Sequence, residues 1–192
     1  MRIGFPGHLA NLKSSRLHPI AGTLIFVVAM LPGLAQSAMP APVLAISLGL
    51  GAILVAASVI DWQSFILPDR LTLPLIAAGV AVTWWLGNAP IWWSMVSAAL
   101  GYGLLWVVDR GYRALRGRSG IGMGDAKLLA AAGAWLGAEA LPTVLLWATA
   151  LALLGAIVLS LRGQTLVAGT RLPFGPALAL GLWLTWWYGA IG

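Results

Sequence analysis

The stretch Val43-Leu44-Ala45-Ile46-Ser47-Leu48-Gly49-Leu50-Gly51-Ala52-Ile53-Leu54-Val55-Ala56-Ala57-Ser58-Val59-Ile60-Asp61 carries no charge until its last residue. A continuous apolar run of this length fits a bilayer-crossing helix, and it lacks the period-two alternation of a barrel strand. Working outward, similar runs occur at Ile20–Ser37, Leu71–Leu86, Ile91–Val108, Ala126–Ala138, Pro142–Leu161 and Phe174–Ile191. The pattern predicts an all-α, polytopic transmembrane bundle of about seven spans, or six if the first is a cleaved signal. Met39-Pro40-Ala41-Pro42, Gly87-Asn88-Ala89-Pro90 and Leu141-Pro142 read as uncharged turns between them.

Composition agrees. The 192 residues are 60% hydrophobic and only 8% charged, with a mean hydropathy of +0.93, whereas soluble domains carry roughly a quarter charged residues. The absence of cysteine excludes a thiol nucleophile, a disulfide framework and a Cys-ligated metal. No metal or cofactor is expected. The net charge of +6 is read as a topology signal and not as a nucleic-acid footprint. With the N-terminus cytoplasmic, Arg2, Lys13, Arg16, Arg70, Arg110, Arg113, Arg116, Arg118, Lys127, Arg162 and Arg171 all fall on the cytoplasmic side. Residues 1–19, with His8 and His18, then form a basic cytoplasmic tail, and residues 20–192 a membrane-embedded domain. Ala35-Gln36-Ser37-Ala38 also fits a signal-peptide cleavage site; a retained helix is the expectation, because everything downstream is itself apolar. Trp84, Trp85, Trp92, Trp93, Trp135, Trp183, Trp186 and Trp187 lie toward the outer span ends and read as an interfacial belt.

In lipid the acids are the informative residues. There are five: Asp61, Asp69, Asp109, Asp125 and Glu139. Asp69 follows Pro68 and reads as a helix cap. Asp109 stands beside Arg110 and Arg113 and reads as a solvated member of a charge cluster in a loop. Glu139 lies toward the opposite face. Asp61 closes one span, where the helix dipole disfavours a carboxylate, so it has no capping role. Asp125 opens another behind Gly122-Met123-Gly124 and reads equally as cap or catalyst. Its span is roughly 20 Å long at 1.5 Å per residue, against a hydrocarbon core near 30 Å, so Asp125 is expected inset from the headgroups. The glycines permit close backbone approach or unusual dihedrals, and Ala130-Ala131-Ala132-Gly133-Ala134 permits tight helix packing.

Gly122-Met123-Gly124-Asp125-Ala126-Lys127 contains a GxGD motif. Together with Asp61-Trp62-Gln63-Ser64-Phe65-Ile66-Leu67-Pro68-Asp69-Arg70 and Leu172-Pro173-Phe174-Gly175-Pro176-Ala177, it resembles the bacterial prepilin leader peptidases. The likeness runs in order from about Val43 to the C-terminus, and three blocks are far more specific than a lone GxGD. Members of that family are aspartyl proteases that remove the short basic leader of type IV prepilins and pseudopilins at the cytoplasmic membrane face. The resemblance implies Asp61 and Asp125 as catalytic, with Gly122, Gly124, Lys127, Pro68, Asp69, Pro173, Gly175 and Pro176 as motif support. The position of Asp69 often holds Asn in the family, which fits a structural role. Longer members add a cysteine-containing domain associated with N-methylation. With no cysteine and only Ala38–Pro42 between the first two spans, this chain resembles the short, protease-only form.

The implied partners are prepilin or pseudopilin substrates and the lipid bilayer. Two carboxylates at similar depth can work on water as acid and base. Helix-end electrostatics alone favour Asp125 as base and Asp61 as acid. Presenilin-like enzymes also carry GxGD, and Pro176-Ala177-Leu178 resembles one of their motifs, but Leu67-Pro68-Asp69 and Pro173-Phe174-Gly175-Pro176 favour the prepilin branch. The competing reading is a small proton-coupled transporter, or an assembly subunit without protease activity.

Overall fold

In the computed structural model the described residues are 40–64, 67–117, 119–120, 122–161 and 174–189, and among them every regular element is helical. The elements are α1 (Ala41–Ser64), α2 (Asp69–Trp85), α3 (Ile91–Arg116), α4 (Met123–Leu136), a 3-10 turn (Ala138–Ala140), α5 (Leu141–Leu161) and α6 (Gly175–Tyr188). Three helical stretches are long and apolar enough to cross a membrane: Ala41–Ser64, Ile91–Arg116 and Ala138–Leu161. α2, α4 and α6 are shorter, at 17, 14 and 14 residues. The expected first span Ile20–Ser37 and the basic tail lie outside the described residues.

Proline and glycine mark several helix ends, but the turn expected at Leu141-Pro142 is the first turn of α5, and Pro74 lies within α2. Pro68 and Pro90 stand just before α2 and α3 in extended conformation, where a missing N–H costs nothing. Gly87, Gly117 and Gly137 take positive φ at the ends of α2, α3 and α4, a conformation open chiefly to glycine.

α3 overruns its expected end. It continues past Val108 to Arg116, so Asp109, Arg110 and Arg113 are helical and not in a wet loop. The helix runs through Gly111 and ends only at Gly117, which takes positive φ. Asp109 and Arg113 form an i,i+4 ion pair, and Arg113 and Arg116 in the last turn suit the negative end of the helix.

The short helix α4 occupies the centre. Ala126 and the whole run Leu128–Trp135 are buried, and α4 packs against α2, α3 and α6. α6 in turn packs against α1 and α5. Small residues make this possible. A Cβ on Gly133 would stand 2.2 Å from the Ser97 carbonyl oxygen, and one on Gly101 would stand 2.4 Å from that of Leu129. The backbones of α3 and α4 therefore touch. Hydrogen bonds join α4 to α2, among them Thr83 Oγ1 donating to the Ala134 carbonyl (2.9 Å) and Trp135 Nε1 donating to that of Leu75 (2.8 Å).

The tryptophan belt is only partly realised. Trp84, Trp85 and Trp92 are exposed, the last at 63%. Trp183, at 1%, and Trp135 belong to the core instead. Trp135 meets Trp186 edge-on and Trp183 meets Trp187 at a tilt, each pair with centroids 5.6 Å apart. Trp186 Nε1 also donates to Ser47 Oγ of α1 (2.9 Å). These four indoles pack in or against the core, a role that their position near span ends conceals.

Candidate active site

Three helix ends converge at one end of the bundle. Asp61 lies in the last turn of α1, Asp125 in the first turn of α4, and Gly175 opens α6. Asp61 is 5% exposed. Its carboxylate takes the backbone N–H of Gly175, and a Cβ on Gly175 would stand 2.6 Å from Asp61 Oδ2. Asp125 is half-buried and reaches back to the backbone N–H of Gly122, the N-cap residue of its own helix, in the manner of a capping box. The two carboxylates are near enough to repel each other when both are ionised.

The helix-end argument for assigning base and acid does not survive this geometry. α1 continues to Ser64, so Asp61 stands inside the last turn and not at its end. Its carboxylate also faces the amide at the start of α6. Both acids thus meet the amides at a helix N-terminus, so helix ends alone do not assign base and acid.

Glycine acts here by permitting close approach, not by unusual dihedrals. Gly122 has an ordinary extended conformation, φ −71° and ψ 137°. At Gly124 a Cβ would stand 2.8 Å from Leu67 Cβ, and at Gly175 one would stand 3.0 Å from Leu67 Cδ1. Leu67 is buried between these two glycines, so it packs between the start of α4, which bears Asp125, and the start of α6, which meets Asp61. Sequence reasoning gave it no role; its one signal is its place before Pro68-Asp69. Pro176 occupies the first turn of α6, and Pro173 lies outside the described residues.

Asp69 is not the cap of α2. It is the first helical residue, with Pro68 at the cap position, and its carboxylate pairs with Lys127 Nζ. Lys127 thereby ties the helix of Asp125 to the segment that follows Asp61. Asp109 is not solvated: it is 5% exposed, with Arg113, Ser119 and Gly120 around it. Glu139 lies in the 3-10 turn beyond the far end of α4, lining a separate cavity of about 320 Å³ with Asn88, Trp93 and Ser94. Among the described residues no group of three or more His, Cys, Asp or Glu gathers in a way that could hold a metal.

Fold and site together define a helical bundle with membrane-length helices and a paired-aspartate centre at one end. The model of the type IV leader peptidase family matches residues 48–158, and the chain belongs to that family. Proteins named prepilin leader peptidase/N-methyltransferase are similar to it. The one from Burkholderia pseudomallei is 46% identical over 141 residues, covering 73% of this chain and 45% of the relative. That from Aeromonas salmonicida is 40% identical over 138 residues (71% and 47%). That from Neisseria gonorrhoeae is 38% identical over 135 residues (70% and 46%). The chain spans about half the length of these curated relatives. No solved structure matches it.

Proposed function

We propose that this chain is a membrane aspartic endopeptidase that removes the leader of type IV prepilins or pseudopilins at the cytoplasmic face of the inner membrane. The observation that carries the reading is the meeting of Asp61 and Asp125 from separate helices against Gly175 and Gly122, in a member of the leader peptidase family. The relatives' names supply the substrate class. Only the peptidase half of those names is carried over, since the paired carboxylates support hydrolysis alone.

In the proposed reaction one carboxylate is ionised and the other protonated. The ionised one takes a proton from water as its oxygen adds to the scissile carbonyl carbon; the protonated one gives its proton to the carbonyl oxygen. The gem-diol then collapses: one hydroxyl returns its proton to the carboxylate that protonated the carbonyl oxygen, the C–N bond breaks, and the leaving amine takes the proton that the other carboxylate drew from water. No covalent enzyme intermediate is needed. The proposed topology is seven spans with the N-terminus cytoplasmic, which places every basic residue on the inner side. A substrate with its apolar helix in the bilayer would then present its leader to the end of the bundle where Asp61 and Asp125 stand.

The test is co-expression with a candidate prepilin, read by leader loss on a gel. Wild-type chain should process it, while Asp61→Asn and Asp125→Asn should each abolish processing and Glu139→Gln should leave it unchanged. Normal processing by either Asp→Asn variant would overturn the dyad. Proton-coupled uptake without any processing would favour transport.

A further inference from the structure

Asp109 carries more contacts than its ion pair with Arg113 requires. Arg113 Nε donates to Oδ2 at 2.6 Å, which alone would make an ordinary i,i+4 surface pair. The other oxygen, Oδ1, turns toward the segment that leads into α4: it accepts from Ser119 Oγ (2.7 Å) and from the backbone N–H of Gly120 (3.0 Å). Arg113 Nη2 also donates to Ser119 Oγ (3.2 Å), closing the ring. Gly120 is pressed against Tyr112, whose ring a Cβ would meet at 2.7 Å. The carboxylate is buried and each oxygen has a partner, so its charge-assisted bonds are strong and their geometry specific. Two residues past Gly120 stands Gly122, the N-cap of α4 whose N–H meets the Asp125 carboxylate.

We infer that Asp109 is a positioning residue for the paired-aspartate centre: through Ser119 and Gly120 it fixes the turn before Gly122 and so the placement of Asp125. The inference rests on the peptidase reading above. Asp109 acts on Asp125 through the backbone at Ser119 and Gly120. A charge that served only to hold α3 together would not direct one oxygen out of its own helix.

The experiment uses the full chain in detergent, with a prepilin substrate and the variants Asp109→Ala and Asp109→Asn. Asp109→Ala is expected to lower kcat about 10- to 100-fold through misplacement of the reacting group, with KM within about twofold of wild type. Asp109→Asn keeps an oxygen for Ser119 and Gly120 and is expected to recover most of that loss. Hydrogen exchange should quicken in the peptide spanning Gly117–Asp125 and stay unchanged in α1 and α6. Wild-type kcat with unchanged exchange in Asp109→Ala would overturn the inference, as would exchange that quickens throughout the chain. Should wild type process no prepilin, the peptidase reading fails, and the exchange arm alone decides whether Asp109 fixes the turn.

Discussion

Gly175 forms the wall against which the Asp61 carboxylate rests: its N–H meets that group, and a Cβ in its place would stand 2.6 Å from Oδ2. An alanine there must push the carboxylate aside or force α1 and α6 apart. Gly175→Ala is expected to lower prepilin processing about 100-fold, as for a displacement near 1 Å, while the protein still accumulates in the membrane. Leader cleavage in co-expressing cells, with immunoblotting for the chain, checks this.

A pair that works with one carboxylate ionised and the other protonated has a pH optimum. Processing by purified protein is expected to trace a bell: it falls on the acid side as the base becomes protonated, and on the alkaline side as the acid loses its proton. A rate still rising well beyond neutrality would exclude the acid–base dyad.

The Lys127–Asp69 pair joins α4 to α2 near the centre, but the Asp69 side chain is 59% exposed. Lys127→Met and Asp69→Asn are each expected to change stability by less than about 1 kcal/mol, because solvent screens such a pair. A double-mutant cycle on thermal unfolding in detergent measures the coupling, which should shrink with added salt.

Gly133 and Gly101 let two backbones touch. Gly133→Ala places a methyl group 2.2 Å from the Ser97 carbonyl oxygen, where neither backbone can yield without moving a helix. A loss of about 1–3 kcal/mol or more is expected for this overpacking, read as a lowered unfolding midpoint. Gly103→Ala, on α3 two residues from Gly101, has open space around it and should cause no such loss.

Trp183 and Trp92 separate the two roles of tryptophan. Trp183→Ala empties a buried site beside Trp187 and is expected to cost about 3–5 kcal/mol. Trp92→Ala, at an exposed position, should fall within about 0.5 kcal/mol. Equal losses would restore the belt as the common explanation.

The helical class was legible because apolar runs and glycine–proline turns are local signals, and α1 and α2 begin within a few residues of where those signals put them. The two aspartates stood out for a negative reason: in an apolar chain with five acids, Asp61 has no capping role. What stayed hidden depends on distant partners. Asp109 reads as one more loop charge until α3 is seen to continue beneath Ser119 and Gly120. Trp135 and Trp183 sit near span ends like lipid-facing indoles, and their burial shows only once the helices are packed together. Leu67 has no chemistry of its own; its position between Gly124 and Gly175 exists only once three helices meet.

The burial of α4 has a consequence for how the chain lives with its solvent. A helix of 14 residues is far too short to match a hydrocarbon slab near 30 Å, and in direct contact with lipid it would be subject to thinning and tilt. Sheathed by its neighbours, it takes its depth from protein contacts. Acyl-chain length then acts first on the longer helices, and reaches α4 only through them.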